Sequence, residues 1–284
     1  MGNFNYNGEN VEVVECPRDA MQGIKQFIPT ETKIKYISKL LAQEFDVLDC
    51  GSFVSPAAVP QMADTAEVIE AISQIETDTK LLVIVANERG AIRAAAFPKI
   101  KYLGYPFSIS ETFQRRNTNQ SRQDAFLQLA KIQEIALASG KEVVAYISMA
   151  FGNPYGDNYN TEMVIEWTEK IAGLGIRIIS LADTTGMADE QQIIATYSSL
   201  IPHLPHISIG GHFHAKREVA SSKINAALIG GCRRLDGAIL GYGGCPFAKD
   251  ELVGNIPTET LMEALGKKID RPLLQEAANV YRGF

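Results

Sequence analysis

Two histidines one residue apart, His212 and His214, close the apolar run His206-Ile-Ser-Ile-Gly-Gly-His-Phe-His. On an extended strand, side chains two positions apart share a face, so both imidazoles point the same way. Two neutral imidazoles converging on one point make part of a metal site that lacks oxygen ligands. Candidates for the rest of that site lie in the Arg18-Asp19 pair, just after the first apolar run, and in the Gly-Gly-Cys-Pro loop at Cys245. Taken singly these residues say little. An Arg-Asp pair in a turn is usually a local salt bridge, and His-x-His is equally compatible with ordinary hydrogen bonding. Asp183, in Ala-Asp-Thr-Thr-Gly, also suits a helix cap or an Asx turn. Cys245 is flanked by glycines at 241, 243, 244 and 254, so the segment reads as a flexible lid carrying a thiol.

The elements that must position these residues alternate from end to end. Strand-like runs are expected at 11–16, 47–50, 81–86, 99–103, 143–148, 177–182, 206–210 and 238–241. Most are continuous and rich in Val and Ile, as parallel strands buried on both faces require. Amphipathic stretches lie between them, with caps expected at Thr30 and Asp189. Eight strand–helix units in 284 residues point to a single α/β domain, residues 1–284, folded as a (β/α)8 TIM barrel. Residues 272–284 read as an extra C-terminal helix. The Gly-x-Gly-x-x-Gly turn of an open dinucleotide-binding sheet is absent after the first strand.

In such a barrel, chemistry sits where strands end at their carboxyl side. Arg18 and Asp19 follow strand one, and Asp49 ends strand two. Ser180 and Asp183 close strand six, His212 and His214 strand seven, and Cys245 follows strand eight. Scattered structural polar residues have no reason to choose one rim, so the coincidence favours one pocket. His203 and His206 fall at the opposite rim and receive no role.

Composition narrows the partners. The net charge is −6, and no basic block is long enough to track a phosphate backbone. The pairs Arg115-Arg116 and Arg233-Arg234 are expected on the surface or at a small anion site, and nucleic acid is an unfavoured partner. No stretch of 18 apolar residues offers a membrane span, and the polar start lacks a secretory or transit pattern, so a cytoplasmic location is expected. The four cysteines show no Cys-x-x-Cys pairing, which excludes a zinc ribbon and disfavours a disulfide frame.

Five segments carry a family resemblance: Val14-Glu-Cys-Pro-Arg-Asp-Ala-Met-Gln22, Ser52-Phe-Val-Ser-Pro-Ala-Ala-Val-Pro-Gln-Met62, Ala182-Asp-Thr-Thr-Gly186, Gly211-His-Phe-His214 and Gly243-Gly-Cys-Pro-Phe-Ala248. With them the chain resembles the 3-hydroxy-3-methylglutaryl-CoA lyases, among the metal-dependent acyl-CoA lyase and synthase barrels. The second segment is the most specific, because the synthase relatives do not carry it in this form. The resemblance implies a divalent cation, Mg²⁺ or Mn²⁺, held by Asp19, His212, His214 and Asn255. It implies retro-Claisen cleavage of an acyl-CoA substrate to acetyl-CoA and acetoacetate, as in leucine breakdown. It also implies a homodimer. Catalytic parts fall to Arg18, which would stabilise an enolate, to Cys245 as acid, and to Asp49 and Asp183. Gln22, Lys25, Asn117 and Ser180, with Arg18, match substrate-side positions. Asp49 stands where the family carries Glu, and Ala215 stands where relatives carry Asp. The weighed alternatives are a synthase condensing acetyl-CoA with a 2-oxo acid, and a barrel that binds acyl-CoA without catalysis.

Overall fold

The computed structural model describes residues 11–43, 45–244 and 253–279. Eight strands, β1 (Glu12–Glu15), β2 (Val47–Ser52), β3 (Lys80–Ile84), β4 (Ile100–Ser108), β5 (Glu142–Ser148), β6 (Ile178–Asp183), β7 (Ser208–Phe213) and β8 (Arg234–Gly237), pair in parallel in chain order. β8 pairs back onto β1, so the sheet closes into the expected barrel. Around it lie α1 (Pro17–Gln22), α2 (Thr30–Leu41), α3 (Thr65–Ile72), α4 (Glu88–Ala95), α5 (Glu111–Thr118) and α6 (Arg122–Ala138). They are followed by α7 (Thr161–Gly173), α8 (Glu190–Leu200), α9 (Arg217–Ile229), α10 (Thr258–Ala264) and α11 (Arg271–Asn279). The expected terminal helix is α11. Among the described residues no helix is long and apolar enough to cross a membrane.

Strand alternation divides the core in two. Val14, Cys16, Val47, Leu82, Tyr102, Val144, Tyr146 and Ile178 form one cluster inside the barrel. The intervening residues, such as Val13, Leu48, Val83 and Ile179, join the larger layer between sheet and helices. Helix starts are fixed by side chains that accept the backbone N–H three residues on: Asn87, Ser110, Ser121, Asn160 and Asp189. Thr30 does not cap its helix. Pro29 occupies that position, and the Thr30 hydroxyl donates to Asp64 at 2.8 Å.

β4, expected at 99–103, runs on to Ser108, and the last two strands also depart from the expected bounds. β7 runs on to Phe213, so His212 lies within the strand. β8 is Arg234–Gly237, and the expected strand at 238–241 is instead a 3₁₀ turn over Ile239–Gly241. Arg234 and Asp236 hid β8 by interrupting its apolar run. Arg234 is also not a surface residue, because it is fully buried inside the barrel.

On the outer face of β1, the buried Glu15 carboxylate accepts from the Ile239 N–H at 3.0 Å and from the Thr258 hydroxyl. It thereby ties the first strand to the chain on both sides of the Cys245 loop. Burial lifts its pKa to about 8, against the opposing effect of those two donors. The folded state therefore binds this proton more tightly than the unfolded chain, where the value is 4.5. The resulting stability is complete below the unfolded value and is lost as pH rises through about 8. Glu15→Gln keeps the shape without the charge. Denaturant unfolding from pH 5 to 9 is expected to show the variant gaining on the wild type by up to ~1.4 kcal/mol per pH unit within that window. A constant difference across the range would refute the assignment.

Candidate metal centre and active site

Pro17 starts α1 immediately after β1, where its fixed φ and missing N–H suit the first helical turn. This short helix carries Arg18, Asp19 and Gln22 at spacings that bring them together on one face. Arg18 Nη1 donates to Asp19 Oδ1 at 3.0 Å and to Gln22 Oε1 at 2.8 Å. Its Nε and Nη2 donate to Asp49 Oδ2 from β2, at 3.0 and 2.6 Å. Gln22 Nε2 donates to Asp19 Oδ1 at 2.8 Å. The guanidinium is thus held from three sides before any ligand arrives.

The two histidines enter from β7 and its end, with ring centroids 5.2 Å apart. His214 Nδ1 lies 2.8 Å from the backbone carbonyl of Thr184, an atom that can only accept, so Nδ1 carries the proton. The lone pair of the neutral ring then sits on Nε2, which is buried and has no hydrogen-bond partner. His212 Nδ1 lies 3.0 Å from Asp236 Oδ2, which fixes that ring in the same tautomer. Ligand atoms of Asp19, His212 and His214 all fall within 4.8 Å of one another. One carboxylate and two imidazoles suit a divalent cation, and the orphaned Nε2 of His214 is the atom that most needs one.

Burial would raise the Asp19 pKa, but Arg18, the two imidazoles and the Asn255 hydrogen bond outweigh it and hold the carboxyl well below its usual range. At His212 burial opposes the proton, yet the Asp236 hydrogen bond and charge prevail, and the pKa rises. At His214 burial and the neighbouring His212 lower it. A cation therefore competes with the proton more strongly at His212 than at His214. Burial, only partly countered by Arg18, raises Asp49 to about 6.

A cavity of about 230 Å³ opens above this cluster. Arg18, Asp19, Gln22, His212 and His214 line one side of it. Ile84, Ala86, Pro106, Phe113 and Asn117 line the part built by β3, β4 and α5. Of the residues expected from sequence, Arg18, Asp19, Gln22, Asn117, His212 and His214 thus meet in one pocket. Asn255 sits behind Asp19, with Nδ2 donating to Asp19 Oδ2 at 2.7 Å and to the Tyr242 carbonyl at 2.9 Å.

Four other expected residues lie outside the cavity lining. Asp49 does not line the cavity; it is buried behind Arg18 and acts on it. Asp183, expected among the catalytic residues, turns its carboxylate to Lys223 at 2.6 Å and to the Ala188 N–H, away from the cavity. Ser180 points into the barrel two residues deeper than Ala182, which does line the pocket. Lys25 is exposed and outside the lining. Cys245 lies outside the described residues.

The glycines around that loop have a packing reason. A Cβ at Gly254 would stand 2.2 Å from the Gly241 carbonyl, and one at Gly243 would stand 2.8 Å from the Asp19 carbonyl. They let the loop's two stems cross beside the metal cluster. Sequence reasoning missed Asp236 and Tyr146. Asp236 fell in a stretch read as loop, and Tyr146 in a strand read only as core. The Ala215 position costs His214 no partner, because Thr184 supplies a backbone carbonyl instead.

The chain is similar over most of its length to known proteins. The HMGL-like family model matches residues 11–279. The mitochondrial hydroxymethylglutaryl-CoA lyase of Bos taurus is 33% identical over 90% of this chain and 78% of its own length. The 3-hydroxy-3-isohexenylglutaryl-CoA/hydroxymethylglutaryl-CoA lyase of Pseudomonas aeruginosa is 32% identical over 90% of this chain and 85% of its own. An HMG-CoA lyase from Acinetobacter baumannii, solved with coenzyme A and 3-methylmalate, superposes with a TM-score of 0.88 at 32% identity. That superposition covers 100% of this chain and 92% of the other.

Proposed function

This chain belongs to the HMGL-like family, and on that footing we propose that it is a carbon–carbon lyase cleaving 3-hydroxy-3-methylglutaryl-CoA to acetyl-CoA and acetoacetate. The observation that carries the reading is the gathering of Asp19, His212 and His214 around one point, with Arg18 beside them at the mouth of the barrel. A divalent cation held by these three residues, with Asn255 supporting Asp19, would acidify the substrate's tertiary hydroxyl and anchor its oxygens. Mg²⁺ or Mn²⁺ suits a set that includes a carboxylate and leaves positions open to substrate oxygens.

In the reaction the C3 hydroxyl gives its proton to a base, and the electron pair left on oxygen forms the C=O of acetoacetate. The C2–C3 bond breaks, and that pair passes into the thioester as an enolate. Arg18 would stabilise the enolate oxygen. Two donors on Nη1 serve Asp19 and Gln22, while Nε and one Nη2 donor serve Asp49. That leaves one of the five guanidinium N–H groups free. A donor fixed in advance costs no reorganisation when charge develops. Protonation of C2 then completes acetyl-CoA, and family resemblance gives this step to Cys245. The apolar wall of Ile84, Ala86 and Pro106 supports the reading by keeping water from the carbanion.

Protein supplied with Mn²⁺ is expected to release acetoacetate from 3-hydroxy-3-methylglutaryl-CoA. EDTA should stop the release and added cation restore it. No acetoacetate with any of Mg²⁺, Mn²⁺ or Zn²⁺ would overturn the assignment, and release unaffected by chelator would overturn the metal's part in it.

A further inference from the structure

Beneath the metal cluster the barrel is not apolar throughout. Strand register stacks two inward-facing layers there. The upper layer contains Ala182, His212 and Asp236, since Ala182 pairs with His212. The lower one contains Tyr146, Ser180, Gly210 and Arg234. Tyr146 pairs with Ser180 and Ser180 with Gly210, and the Gly211–Leu235 pairing sets Gly210 level with Arg234. Gly210 leaves the space that the Arg234 stem fills, because a Cβ there would stand 3.1 Å from Arg234 Cδ.

This lower layer, together with Asp236 above it, is buried and short of hydrogen-bond partners. Arg234 Nη1 pairs with Glu12 and the guanidinium lies over the Tyr102 ring, 5.9 Å from its centroid, but Nε and Nη2 have no hydrogen-bond partner. Neither do the Tyr146 hydroxyl, the Ser180 hydroxyl or Asp236 Oδ1. No direct ion pair joins Arg234 to Asp236, although each lies in the other's field. Four donors and one acceptor orphaned within one small region far exceed what a folded interior tolerates, unless water bridges them. The acceptor is the second oxygen of the carboxylate that holds His212.

We propose that Arg234, Tyr146, Ser180 and Asp236 enclose ordered water behind His212, and that Arg234 is a positioning residue for the metal centre. Through that water Arg234 holds Asp236 Oδ1, the carboxylate keeps one rotamer, and Oδ2 stays on His212 Nδ1. Arg234 touches neither the cation nor the substrate. The proposal rests on the metal-centre reading above but reports on a different property, the strength with which the cation is held.

The test is calorimetric titration of metal-free protein with Mn²⁺, comparing wild type, Arg234→Met and Arg234→Lys. Outer partners of metal-ligating histidines commonly shift affinity 10–100-fold. One step further out, Arg234→Met is expected to weaken Mn²⁺ by roughly three- to tenfold, and Arg234→Lys, which keeps the buried charge, to recover most of it. A folded Arg234→Met with wild-type affinity would sink the proposal and leave the lyase assignment standing. A wild type that binds no Mn²⁺ would instead remove the metal-centre reading itself. Should Arg234→Met not fold, a high-resolution crystal structure of the wild type decides. Water within about 3.2 Å of both Asp236 Oδ1 and Arg234 Nη2 supports the proposal, and a dry chamber overturns it.

Discussion

Replacing Asp19 by Asn is expected to remove lyase turnover and to weaken Mn²⁺ binding by more than roughly a hundredfold, well beyond the range for residues outside the coordination sphere. The substitution is nearly isosteric. Gln22 and Asn255 donate to different carboxylate oxygens, at 2.8 and 2.7 Å, so the single amide oxygen keeps one of these hydrogen bonds and loses the other. What it deletes is the negative charge, in a place where burial makes charge count. The carboxyl is held ionised by Arg18 and the imidazoles against its own burial, so the site already carries the electrostatic preparation for a cation. Without that charge the cation must face a buried guanidinium with only neutral ligands. Titration with Mn²⁺, acetoacetate release and a thermal unfolding curve together check the result. A folded Asp19→Asn protein with wild-type affinity would show that the three converging side chains do not hold the ion.

Much of this site was legible before any coordinates. The His-x-His spacing requires both rings on one strand face, and β7 delivers them to the barrel interior side by side. Polar residues clustering after strand ends identified the correct rim for Arg18 and Asp19, because a parallel barrel exposes only that end of each strand to the pocket. Rim position does not determine direction, however. Asp183 satisfies the positional rule yet points outward to Lys223, because neighbouring residues of one strand face opposite ways. Asp49, expected at the end of β2, lies three residues before it and is captured by Arg18, a contact between residues 31 apart that no local pattern encodes. The most hidden part was β8. A strand whose inward residues are Arg234 and Asp236 violates the apolar pattern by which buried parallel strands are found. Its charges are met in part by Glu12 and His212.

Arg18 is the residue whose loss should separate chemistry from binding. Arg18→Gln is expected to lower kcat by roughly 10²–10³-fold, the scale for removing one preorganised donor at a developing oxyanion. Mn²⁺ affinity should change far less, because Asp19, His212 and His214 remain. Arg18→Lys is not expected to rescue turnover. An ammonium is a compact charge and cannot hold Asp49, Asp19 and Gln22 in fixed directions while keeping a further donor for substrate. The neighbour tests the same geometry from behind. Asp49→Asn leaves the substrate side untouched but removes the charge that clamps Nε and Nη2, so it should mimic Arg18→Gln in kcat at a smaller size with KM nearly unchanged. Were Asp49 itself a proton carrier in the cavity, its loss would move the pH profile of turnover rather than copy the arginine variant. Steady-state acetoacetate production by the three variants across pH 6 to 9 discriminates these outcomes, and intact turnover in Arg18→Gln would mean that the enolate finds its counter-charge elsewhere.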